Sequence, residues 1–102
     1  MDRLPLLRQM AAARPNDPFP SYGLAMELRK QGQHAEASET FRALIDAHPG
    51  YVPSYLMYGN LLVEMGDREA AATVLDAGIE AAKAAGDDHA LGELSGARAE
   101  LS

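Results

Sequence analysis

Apolar residues recur along this chain at three- and four-residue intervals, the spacing that lines one face of a helix. Leu7 and Met10, Phe41 and Leu44, and Leu91 and Leu94 are such pairs. Prolines and glycines cut the pattern into pieces. Pro15-Asn16-Asp17-Pro18-Phe19-Pro20 reads as a turn through which no helix continues, and Gly32, Gly66 and Gly86 read as helix stops. The pieces predict six helices. The first covers residues 3–14, two hairpins of paired helices cover 18–50 and 52–85, and a last helix covers 88–101. β-branched residues are sparse and alanine is abundant, which favours helices over strands.

The hairpins repeat. Gly32 and Gly66, Leu28 and Leu62, Ala37 and Ala71, and Phe41 and Leu75 are each 34 residues apart. Each glycine stands where a left-handed residue ends a helix at no steric cost. Asp67 is placed to cap the next helix, with Gln33 a weaker cap in the first hairpin. Ala37 and Ala71 fall where two helices cross closely, and Phe41 and Leu75 fill the space one turn on. Shifting back one period carries Phe41 onto Leu7, Leu44 onto Met10 and Pro49 onto Pro15. Residues 3–14 then read as the second helix of a half-repeat, with Pro5 in its tolerant first turn. Pro49 has no counterpart one period later, where Lys83 stands, so the last helix of the second hairpin is expected to run on to Gly86. The closing helix has a stripe of Leu91, Leu94 and Leu101, and its other face is polar.

A 34-residue helix-turn-helix period resembles the tetratricopeptide repeat, and the likeness covers residues 18–83. Departures exist: the first large aromatic is Ser21 in one repeat and Tyr55 in the other. The resemblance implies an all-α tetratricopeptide-repeat solenoid of about six antiparallel helices, forming a single domain over residues 1–102. Its parts would be a half-repeat, two full repeats and a capping helix.

Composition narrows the functions available. The chain has 102 residues, no cysteine and a net charge of −6. Disulfide and thiolate chemistry are out, and an acidic chain disfavours nucleic acid. The opening residues lack an apolar run long enough for a signal peptide or a membrane span, so a cytoplasmic location is expected. Residues 52–102 carry three basic and nine acidic side chains, whereas residues 1–51 carry six of each. That acidic half reads as a solvated face or a means of steering a basic partner.

No phosphate loop, nucleophile elbow or metal motif is present. His34, His48 and His89 are scattered near helix ends, and Asp87-Asp88 is explained by helix capping and the helix dipole. Glu36 and Glu39 read as a solvated outer face. Gly92 and Gly96 have close-packing spacing, but on a short polar helix. No catalytic residue, cofactor or metal is expected.

Surface recognition of a protein or peptide remains. In the family the first helix of each pair lines a concave groove. Carried over, that lining is Phe19, Tyr22, Met26, Arg29 and Lys30 from the first repeat, and Leu56, Met57, Asn60, Val63 and Glu64 from the second. Family members that clamp an acidic chaperone tail place Lys and Asn on the first inner helix. Here Tyr22 and Met26 stand in those places, with only Asn60 matching, so that clamp is not expected. The resemblance therefore implies a non-catalytic adaptor taking a peptide or helix of a partner. The alternatives are a self-associating scaffold and a chaperone-like subunit of a larger assembly.

Overall fold

Where proline and glycine interrupt the apolar periodicity, the helices begin and end. The computed structural model describes residues 2–102, and among them are six helices and no strand. They are α1 (Leu4–Ala13), α2 (Pro18–Lys30), α3 (His34–Ala47), α4 (Pro53–Glu64), α5 (Arg68–Ala85) and α6 (Asp88–Ala99). The chain divides into two compact units, Met1–His48 with α1 to α3 and Pro49–Ser102 with α4 to α6.

In the first unit two of the three helices are tied at their start by a side chain. Asp2 Oδ1 accepts the Leu4 N–H at 3.0 Å, and Asp17 Oδ1 accepts that of Phe19 at 3.0 Å. α2 stops at Gly32, whose φ of +78° lets its N–H reach the Arg29 carbonyl and that of Gln33 reach the Leu28 carbonyl. The three-residue connection turns α3 back along α2. Ala25, Leu28, Ala37 and Phe41 are fully buried between them. Ala37 keeps the helices close and Phe41 fills the next layer, with the Tyr22 ring edge-on to it at a centroid distance of 6.4 Å. Gln33 occupies the cap position of α3 but makes no side-chain bond there.

The second unit repeats the device with different residues. Gly66, at φ +83°, closes α4, and Asp67 Oδ1 caps α5 by accepting the Ala70 N–H at 3.0 Å. Leu61, Ala71 and Leu75 form its centre, beside Tyr55 and Leu62. Two helical glycines make room: a Cβ at Gly59 would lie 2.6 Å from Leu75 Cδ2, and one at Gly78 would lie 2.5 Å from Tyr55 Cβ. The Tyr55 hydroxyl donates to the Pro49 carbonyl, and burial pushes its pKa up.

α5 runs to Ala85 and stops at left-handed Gly86, and Asp87 caps α6 through the Ala90 N–H. α6 ends at Ala99, two residues short of the expected end. It packs on α5 and touches α4. Of its leucine stripe only Leu94 is buried, at 1% exposure, because Gly78 leaves a hollow that one side chain fills. Leu91 and Leu101 are half-buried; Leu101 lies beyond the last helical residue. No helix of the described residues is long and apolar enough to cross a membrane.

Candidate functional site

A ten-residue helix can be anchored by few contacts, so the fixing of α1 decides what the N-terminal surface presents. α1 runs antiparallel to α2. Its start is clasped to the end of α2 by Gln31 Nε2, which donates to Asp2 Oδ1 at 2.9 Å and to Glu27 Oε2 at 3.0 Å. Arg3 adds an ion pair with Glu27 at 3.7 Å. Midway, Leu7 lies against Gly23, where an added Cβ would sit 3.6 Å from Leu7 Cδ2. A two-pronged Arg8–Glu36 pair ties the helix to α3, with the second prong at 3.0 Å.

These tethers perturb the carboxylates. The Arg8 guanidinium, chiefly through its hydrogen bonds, holds the Glu36 carboxyl below its ordinary value, and Gln31 lowers Asp2 in the same way. Glu36 is therefore not the free outer-face carboxylate expected from sequence; the partner that engages it lies 28 residues away. Glu39 pairs with Arg42.

Between α1 and α2 lies an open cleft of about 570 Å³. Its walls are mainly apolar: Leu6 and Met10 from α1, and Phe19, Tyr22 and Met26 from α2. Phe19 is 68% exposed, Leu6 60% and Met10 38%, an unusual concentration of bare large apolar side chains for one small surface. The polar groups collect at the far end, where Arg3, Glu27 and Lys30 stand together. Among the described residues Lys30 makes no ion pair.

Of the residues expected to line a binding face, Phe19, Tyr22, Met26 and Lys30 thus meet in one cleft. Arg29 is half-buried on the same helix but does not line it. Leu56, Met57 and Asn60 are half-buried on α4, and Val63 and Glu64 are exposed near its end. The α1 wall was not among the expected residues. The 34-residue shift that carries Leu44 onto Met10 is the signal that points to it, since Leu44 is buried and Met10 is not.

A second hollow of about 520 Å³ lies between α1 and α3, lined by Ser21, Glu39, Thr40 and His48 among others. His48 Nε2 lies 3.2 Å from the Pro15 carbonyl, and Thr40 donates to the Glu36 carbonyl at 2.8 Å, so its polar groups are engaged in holding turns and helix. Among the described residues no group of three His, Cys, Asp or Glu side chains converges as metal ligands do. Asp87 is used as a cap, and His89 pairs with Glu93 at 3.4 Å.

The sequence profile of the tetratricopeptide repeat matches residues 28–87. Among solved structures, a crystal structure of a tetratricopeptide repeat domain protein from Salinibacter ruber is similar, at 32% identity and a TM-score of 0.79. The match covers 83% of this chain and 96% of that one. A solution structure of a protein from Bordetella parapertussis is 26% identical, with a TM-score of 0.80, covering 96% of this chain and 85% of that one. No curated protein matches the chain. Tetratricopeptide repeat domains generally mediate protein–protein interactions.

Proposed function

Since the chain belongs to the tetratricopeptide repeat family, we propose that it is a non-catalytic adaptor, cytoplasmic, that holds a peptide or helix of a partner protein. The observation that carries this reading is the cleft between α1 and α2, where Leu6, Met10 and Phe19 stay bare although the same fold buries Leu44 and Phe41. Burying such side chains against a partner contributes about 1.5–3 kcal/mol each when complete. Tyr and Met are also residues that protein interfaces favour, Met because it adapts its shape. On the second unit, Leu56, Met57, Asn60, Val63 and Glu64 of α4 form the corresponding candidate face, none of them fully buried.

Selection of a displayed peptide library against the immobilised protein tests the reading. Binders are expected to lose most of their affinity on Phe19→Ala with Met26→Ala, the fold being checked by circular dichroism. Binders indifferent to those changes and to Leu56→Ala would remove both faces from consideration. The exposed Leu6, Met10 and Phe19 also favour a second reading, self-association. Light scattering over a range of concentrations decides it, since a persistent monomer excludes it.

A further inference from the structure

The cleft has a shape that the repeat explains. Along α3 the face formed by Ala37, Phe41 and Leu44 is closed by α2, and along α5 Ala71 and Leu75 are closed in the same way by α4. One period earlier the face is Arg3, Leu7 and Met10. α2 covers only its middle, where Gly23 meets Leu7 and leaves that leucine buried, while Arg3 and Met10 at its two ends stay exposed. An occupant set on α1 as α2 is set on α3 would run antiparallel to α1 and therefore parallel to α2. Its C-terminal end would then reach Arg3 and Lys30.

Charge gives the same orientation independently. The cations gather at one end of the cleft and the bare apolar groups along the rest. Glu27 and Asp2 are already engaged, by Arg3 with Gln31 and by Gln31 with the Leu4 N–H respectively. Lys30 is left to face an incoming group. A helix presents its partial negative charge at its C-terminus, and acidic side chains there add to it. At the crossing where α3 and α5 offer Ala37 and Ala71, α1 offers Arg3, so close backbone approach is replaced by a charged contact.

Resting on the protein-binding reading above, we infer that the α1–α2 cleft seats an amphipathic helix of a partner protein, running parallel to α2, with carboxylates in its last turn against Lys30. Its apolar stripe lies on Leu6, Met10, Phe19 and Met26, over about three turns, the length that α1 can support.

The probes are synthetic helical peptides of about sixteen residues with leucines at three- and four-residue spacing, carrying either two Glu or two Lys in the last turn. Fluorescence anisotropy against the full chain is expected to show the Glu peptide bound about fivefold tighter at low salt. Lys30→Glu reverses the order, and Met10→Lys weakens both peptides about tenfold or more. Both substitutions fall on exposed side chains, and circular dichroism checks the fold. Equal binding of the two peptides, lost in Met10→Lys, overturns the inference while leaving the protein-binding reading standing. No binding of either peptide, with displayed binders still dependent on Phe19, overturns the helical occupant alone. A dimer in sedimentation that Met10→Lys dissolves also overturns it, because the occupant is then a second copy.

Discussion

Glycine inside a helix ordinarily lowers stability by about 1 kcal/mol relative to alanine, so adding a methyl group there should help wherever space allows. The two units show where it does not. A Cβ at Gly78 would meet Tyr55 Cβ at 2.5 Å and Leu94 Cδ2 at 2.9 Å, and Tyr55 Cβ cannot swing away as a side-chain tip can. Overpacking of that kind costs about 1–3 kcal/mol, which exceeds the propensity gain. Gly92 and Gly96 have nothing within 4 Å of the added atom. Gly78→Ala is therefore expected to lower the urea midpoint, while Gly92→Ala and Gly96→Ala each raise stability by up to about 1 kcal/mol. A rise for Gly78→Ala would show that α6 shifts freely on α5. Nothing near Gly78 in the sequence marks it as a packing site, whereas Gly32 and Gly66 announce themselves by recurring. The difference is physical: a stop needs a particular backbone angle, but a hollow is defined only by the residues that enter it.

At the scale of elements, α1 depends on tethers that acid can cut. The Glu36 carboxyl lies below its ordinary value of 4.5 because Arg8 hydrogen-bonds its charged form. Its contribution to holding α1 is thus present above pH 4.5 and fades as pH falls through the lowered value. Asp2, lowered from 3.8 by Gln31 and the Leu4 amide, behaves likewise where the start of α1 meets the end of α2. Amide exchange in α1 is expected to quicken as pH drops below 4.5, after correction for the intrinsic rate, before the second unit responds. Glu36→Gln should shift that change to lower pH; an unaltered profile would place the sensitivity elsewhere. The helices themselves were legible because their ends are local: Asp67 and Asp87 cap, and Gly32, Gly66 and Gly86 stop, whereas Asp17 read only as part of a turn. What fastens α1 was not, since Arg8 and Glu36 meet across two reversals of the chain, 28 residues apart, which composition does not record. For the same reason the candidate cleft was legible as one wall only: α2 residues follow from the repeat, while exposure of Leu6 and Met10 depends on what covers α1.

For the molecule as a whole the charge distribution sets a testable balance. Residues 52–102 hold nine acidic side chains against Arg68, Lys83 and Arg98, while residues 1–51 are neutral. Two of the three cations are already paired, Lys83 with Glu80 on the exposed side of α5, and half-buried Arg98 with exposed Asp76 between α6 and α5. Exposed pairs contribute little, about 0–1 kcal/mol, whereas repulsion among the remaining carboxylates acts over about 10 Å at moderate salt. Repulsion should dominate at low ionic strength in the second unit, and ion pairs such as Arg8–Glu36 should weigh more in the first. Raising salt from about 10 mM to about 0.2 M is therefore expected to slow amide exchange in α5 and α6 more than in α1 to α3, and to raise the denaturation midpoint modestly. Chloride salts are the suitable choice, because strongly excluded anions such as sulfate would stabilise both units by a different route. A fall in the midpoint with salt would mean that attractive pairs outweigh the net negative charge, and would shift the electrostatic emphasis from the acidic half to the tethers around α1.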